Sequence, residues 1–235
     1  MNDLAGRVAL ITGASGGVGA ALAHRLHADG VKLALASRRG DDLGIEGALA
    51  APCDVRDEAA LAALAAAAVE RFGGLDIVVA NAGVGVYGGF LETDPEVAEE
   101  VLDVNVKGLV NTVRATLPRL LESEAAELVA VTSIAGLRGP EDEAIYAASK
   151  FAQVGFMRAL DHELWAKGVR VSIHSPGGIA TEFAMGRGRT PEDPDLAGFM
   201  TADEVAESIQ YTLKASRRLR VFEITLLPMA EDSMG

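Results

Sequence analysis

The chain has 235 residues, 49% of them hydrophobic and 23% charged, enough apolar material for one large α/β core that needs no disulfide or metal staple. Its 34 acidic against 21 basic residues give a formal charge of −13, which disfavours nucleic acid and anionic membrane surfaces as partners. The lone cysteine, Cys53, excludes an intramolecular disulfide, and the opening Met1-Asn2-Asp3-Leu4 lacks the basic and apolar regions of a secretory signal.

Short apolar runs then alternate with helical patterns from end to end. Val8 to Ile11 reads as a buried strand, and Val18, Leu22 and Leu26 recur at helical spacing until Gly30 closes the helix. Leu33 to Ala36 is a second strand, and Ala48 to Cys53 supplies a short third. Asp57 to Phe72 is a helix with acidic residues in its first turn and Leu61, Leu64 and Phe72 at core positions. Its alanines are helix formers, and the apolar stretch Leu61 to Val69 is too short to span a bilayer. Leu75 to Ala80 is a strand, Glu96 to Leu121 a helix, Leu128 to Thr132 a strand, Tyr146 to Lys167 a helix and Val169 to His174 a strand. A helix from Ala202 to Ala215 and a strand from Val221 to Leu227 complete the series. Near-continuous apolar strands separated by helices predict a parallel sheet covered on both faces: an α/β, doubly wound single domain over 1–235, in a soluble cytoplasmic protein.

Between the first strand and the first helix lies Thr12-Gly13-Ala14-Ser15-Gly16-Gly17-Val18-Gly19. Glycines there let the backbone approach a ligand, and the free N–H groups of a helix start favour a phosphate. That placement predicts dinucleotide binding through Gly13, Ser15, Gly16, Gly17, Val18 and Gly19, although a plain tight turn uses the same residues.

The loop resembles the cofactor fingerprint of the short-chain dehydrogenases/reductases, and further signals match in order. Asp54, between Cys53 and Val55, follows the third strand, Asn81-Ala82-Gly83 ends the fourth, and Asn105 lies in the next helix. Ser133 ends the fifth strand, thirteen residues before Tyr146-x-x-x-Lys150, and Pro176-Gly177-Gly178-Ile179-Ala180-Thr181 follows the sixth. The matches run from residue 8 to about 183. The resemblance implies a Rossmann-type sheet of about seven strands and an oxidoreductase that interconverts a carbonyl and a secondary alcohol. It also implies that Asp54 bonds adenine, and that the Ile179 backbone and the Thr181 hydroxyl lie at the nicotinamide carboxamide.

Which dinucleotide is read from the end of the second strand. Ser37-Arg38-Arg39 stands where an acidic residue would bind ribose hydroxyls and repel a 2′-phosphate, and no carboxylate follows until Asp41. A guanidinium clamps a phosphate, and Ser37 adds a short donor, so NADP(H) is expected, with NAD(H) as the alternative.

Tyr146 and Lys150 are one helical turn apart and share a face. A neighbouring ammonium is expected to lower the phenol pKa toward the range useful for acid–base work. The resemblance implies that Tyr146 exchanges the proton, Lys150 bonds the nicotinamide ribose, Ser133 donates to the substrate oxygen, and Asn105 holds a relay water. Each has a plainer reading: an interfacial aromatic, a surface partner of Asp142 or Glu143, a strand-end cap and a helix hydrogen-bonder. Their joint occurrence beside a glycine loop favours catalysis.

His24 and His27 share a helix face, but no third ligand completes a site, so no metal is expected. Cys53 reads as a buried small residue. Val84 to Phe90, Ala135 to Glu141 and a lid near 183–200 should shape the substrate pocket, with Tyr87, Phe90, Leu137 and Ile145 as its apolar wall. Arg138, Arg187 and Arg189 are candidates for a substrate carboxylate or phosphate. The resemblance implies that the helices at 96–121 and 146–167 pair copies into a homo-oligomer, dimer or tetramer, while the ending after Pro228 departs from many relatives and puts contacts through the last strand in doubt. Besides a small-molecule carbonyl or alcohol reductase, two readings stand: a 3-hydroxy acid dehydrogenase, and a non-catalytic dinucleotide sensor or scaffold.

Overall fold

Seven strands form one sheet: β1 (Val8–Thr12), β2 (Lys32–Ser37), β3 (Leu49–Pro52), β4 (Ile77–Ala80), β5 (Glu127–Val131), β6 (Arg170–Pro176) and β7 (Glu223–Leu226). All pairings are parallel, in the order β3-β2-β1-β4-β5-β6-β7. The computed structural model describes residues 2–231, so Met1 and the tail from Asp232 to Gly235 lie outside it.

Strand side chains alternate between two cores. Val8 and Leu10 of β1 pack beneath α2 (Glu58–Phe72), α4 (Gly108–Leu120) and α5 (Ala144–Leu164). Ala9 and Ile11 pack beneath α1 (Gly17–Ala28) and α6 (Ala202–Lys214). The strands therefore read as continuous apolar runs, and each fully buried Leu or Ile contributes roughly 1.5–3 kcal/mol. The first and last helices lie together: Arg25 makes a paired contact with Asp203 at 2.6 Å, and Asp29 accepts from Lys214 at 2.7 Å and from Gln210 at 2.6 Å. The chain runs outward from β1 to β3 and then returns to β4 on the other side of β1. That reversal opens a crevice at the C-terminal ends of β1 and β4, where ligands bind in open α/β sheets.

Three expected elements differ. The single helix expected from Glu96 to Leu121 is divided into α3 (Pro95–Leu102), a π-helical segment (Asp103–Lys107) and α4. Asp94 caps α3 through the Glu96 N–H, which fixes the start. The helix expected from Tyr146 begins two residues earlier, at Ala144, and its last turn, Trp165–Lys167, tightens to 3-10 before left-handed Gly168. The last strand keeps only Glu223–Leu226 because it is a half-exposed sheet edge.

Candidate active site

The crevice is built first by backbone geometry. Thr12 Oγ1 accepts from the N–H groups of Asn81 (3.1 Å) and Ala82 (3.2 Å), and Asn81 Nδ2 donates to the carbonyls of Thr12 and Gly13. These bonds pull the ends of β1 and β4 so close that a Cβ on Gly13 would lie 2.8 Å from Ala82 Cα; Gly13 also has φ +65°. A Cβ on Gly19 would strike the Gly13 carbonyl. Gly19 thus supports the loop from behind, while Gly13, Ser15, Gly16, Gly17 and Val18 line a cleft of about 1330 Å³. No side chain caps α1 at Gly16 and its first turn holds no acid, so its free N–H groups face the cleft ready for an anion.

At one end the cleft is lined by Ser37, Arg38, Arg39, Cys53, Asp54 and Val55. Ser37 Oγ accepts from the N–H of Gly40 (3.0 Å) and, more weakly, of Asp41 (3.4 Å), which leaves its own O–H to donate. Arg39 Nη2 donates to the Ser15 carbonyl, whereas Arg38 is exposed and makes no hydrogen bond or ion pair among the described residues. Asp54 is clasped by Arg56, with bonds of 2.6 to 3.1 Å that hold its carboxyl below the usual range. Cys53 is buried and its thiol is pushed up to about 11, so it is unreactive at neutral pH. A dinucleotide fits this lining: a glycine cradle, a bare helix start and an unpaired guanidinium follow one another along one wall.

At the other end stand Ser133, Tyr146 and Lys150. Ser133, extended at the end of β5, accepts from the Ala135 N–H, and its hydroxyl stands near enough to the Tyr146 phenol to lower its pKa. Lys150 Nζ lies 5.6 Å from the centre of the Tyr146 ring. Lys150 makes no ion pair among the described residues, which removes the surface pairing with Asp142 or Glu143 as its role. Burial dominates both groups. It pushes the Tyr146 phenol well above its usual value, with Tyr87 adding to the rise and Ser133 opposing it, and it pushes the Lys150 ammonium down to about 7. The direction of the tyrosine shift is set by burial, opposite to the lowering that a neighbouring ammonium would give.

Asn105 does not line the cleft. It is fully buried in the π-helical segment, where its amide bonds Val84 N–H, Val84 C=O and Ser149 Oγ at 2.9, 2.9 and 3.0 Å. Its backbone carbonyl accepts from Gln153 Nε2 at 2.6 Å. Asn81, Ala82, Gly83, Pro176, Gly177, Ile179 and Thr181 all line the cleft as expected. Among the described residues no three His, Cys, Asp or Glu side chains group as metal ligands, and no helix is long and apolar enough to cross a membrane.

The substrate side departs further from expectation. Phe90, Leu137 and Ile145 are absent from the lining, and Phe90 points outward at 64% exposure. The apolar wall is instead Tyr87 and Phe183, whose rings sit 5.9 and 5.8 Å from Tyr146, with Phe199 beyond. Of the three arginines, Arg187 pairs with Glu100 and Arg138 with Glu231, while Arg189 donates to the carbonyls of Ile179 and Phe183 and lies over the Tyr87 and Phe199 rings. Glu143 and Glu231 also face the cleft, and no motif pointed to either. Burial and the nearby Glu231 push the Glu143 carboxyl up to about 7.

The short chain dehydrogenase family model matches residues 7–192. The chain is 33% identical over 236 residues to an uncharacterized oxidoreductase of Staphylococcus aureus (strain N315), covering 97% of this chain and 100% of that protein. It is also similar to the alcohol dehydrogenase of the archaeon Thermococcus sibiricus complexed with 5-hydroxy-NADP, with a TM-score of 0.86, 31% identity and coverage of 96% of this chain and 98% of that one. A short chain dehydrogenase from Mycobacterium paratuberculosis bound to NAD superposes with a TM-score of 0.84 at 30% identity, over 96% and 97% of the two chains. With the matched family spanning the glycine cradle, the Tyr146 helix and the start of the lid, the chain belongs to the short-chain dehydrogenase/reductase family of oxidoreductases.

Proposed function

We propose that the protein is an NADPH-preferring carbonyl reductase, or alcohol dehydrogenase in the reverse sense, with Tyr146 as its acid–base group. The observation that carries this reading is that Tyr146, Ser133 and Lys150 stand together on the wall of the same cleft that the glycine loop opens. Gly13 to Val18 and Arg38 would hold the phosphates, Lys150 the ribose, and Ile179 and Thr181 the carboxamide. Bound there, the nicotinamide supplies the hydride.

Tyr146 donates its O–H proton to the substrate oxygen as charge develops on it, and the Ser133 hydroxyl donates a second bond to the same oxygen. The phenol, which burial pushes further above its usual range, carries the proton that reduction of a carbonyl consumes. The unpaired, exposed Arg38 supports NADPH, while the relatives that hold an NADP analogue and NAD support a nicotinamide dinucleotide in general. Exposed Phe151 on α5 and Leu102 at the end of α3 support a homo-oligomer paired through these helices.

The test is titration with NADPH and NADH by nicotinamide fluorescence, followed by a panel of ketones and aldehydes. Tyr146→Phe should bind NADPH like the parent while turnover falls on the order of 10²- to 10⁴-fold. Undiminished turnover in that variant removes Tyr146 from the chemistry.

A further inference from the structure

Glu231 lies beyond the last strand, in a stretch that no motif covers, yet its carboxylate reaches two walls of the cleft. Oε2 accepts the Gly178 N–H at 2.9 Å, in the turn after β6. Oε1 lies 2.6 Å from Arg138 Nη2, in the turn after β5. The ion pair is largely shielded, with side chains only 25% and 19% exposed. Close packing seats this segment: a Cβ on Gly177 would strike the Glu231 carboxylate, and one on Gly198 would lie 2.6 Å from Ala230 Cβ.

The surrounding charges give the contact its meaning. Glu143 faces the same space from the start of α5, Tyr87 from the segment after β4, and Arg189 from the lid. Arg189 is committed to two backbone carbonyls and two rings, and Arg187 to Glu100. Arg138 is the guanidinium in the cleft that a substrate carboxylate would seek, and the chain already supplies a carboxylate to it.

We propose that Glu231 is a specificity-determining residue: by holding the Arg138 guanidinium it occupies the place of a substrate carboxylate and reserves the pocket for uncharged carbonyl compounds. This rests on the reductase reading and narrows its substrate class. An entering acid must either displace Glu231, stranding a shielded carboxylate opposite Glu143, or sit unpaired beside both. Either arrangement is repulsive, and repulsion against the wrong partner is how such sites discriminate.

The experiment reads binding, so that it does not depend on turnover. Butyrate and butyramide are titrated calorimetrically into the parent, Glu231→Gln, a chain stopped after Ala230, and the double variant Arg138→Met/Glu231→Gln, with and without NADPH. The parent should favour the amide, and both Glu231 variants should gain about tenfold or more in butyrate affinity relative to butyramide. The gain should vanish in the double variant. An unchanged ratio in whichever Glu231 variant folds, or a gain that survives loss of Arg138, overturns the assignment. Failure of the reductase reading shows itself separately, as absent ketone turnover in the parent.

Discussion

Tyr146 and Lys150 sit within one helical turn of each other, and burial acts on them in opposite chemical senses. It withholds charge from the phenol and from the amine alike, so the pair is closer to a neutral acid beside a weak base than to a phenolate beside an ammonium. The residue types and their spacing were legible in the sequence because both lie on one helix. The sense of the pKa shift was not, because it depends on Tyr87 and Phe183, which reach the ring from other parts of the chain. Arg38 was legible for a simpler reason: the end of a strand at the switch point is the ribose end of the cleft in any sheet wound this way. Arg38→Asp should weaken NADPH binding about tenfold or more while leaving NADH within a few-fold, by removing a charge-assisted bond and adding repulsion. Fluorescence titration of both nucleotides checks this, and an unchanged NADPH-to-NADH ratio removes Arg38 from phosphate recognition.

Apolar periodicity located every strand and most helix ends, because a buried parallel sheet writes its pattern into continuous runs. It could not show the π-helical segment at Asp103–Lys107, since one wider turn hardly disturbs the apolar repeat on either side. That turn is what carries Asn105 inward to bridge the Val84 backbone to Ser149. Asn105 therefore acts at this level as a brace between α5 and the chain that leaves β4. Asn105→Ala leaves a shielded N–H and C=O of Val84 without partners and should cost roughly 2–4 kcal/mol in urea denaturation. A loss below about 0.5 kcal/mol would show that the brace is dispensable. The substrate wall was the least legible part, because Glu143, Arg189, Phe199 and Glu231 meet only through loops and the tail. No local pattern records such a meeting.

Across the whole molecule, acid stability has an identifiable weak point on the strand next to one edge of the sheet. His174 on β6 is fully buried, its Nδ1 faces Ser208 Oγ at 3.1 Å, and its Nε2 has no partner among the described residues. Burial pushes it down to about 4 from an ordinary 6.5, so the folded state keeps it neutral where the unfolded chain would take a proton. The stability this represents is intact above pH 6.5 and is lost progressively as pH falls toward 4, on the order of 3 kcal/mol in all. His174→Gln should flatten that part of the pH dependence in urea titrations; a slope equal to the parent's would assign the acid sensitivity elsewhere. The clasp between α1 and α6 has a different kind of consequence. One whole face of β1, β2, β4 and β5 is covered by the helix made first and a helix made more than 170 residues later. During synthesis that face waits half-clothed, with Ile11, Leu33, Ile77 and Val129 open on one side, until α6 emerges from the ribosome. The growing chain is thus most vulnerable to sticking to its neighbours late in translation, and chaperone protection matters most in that interval.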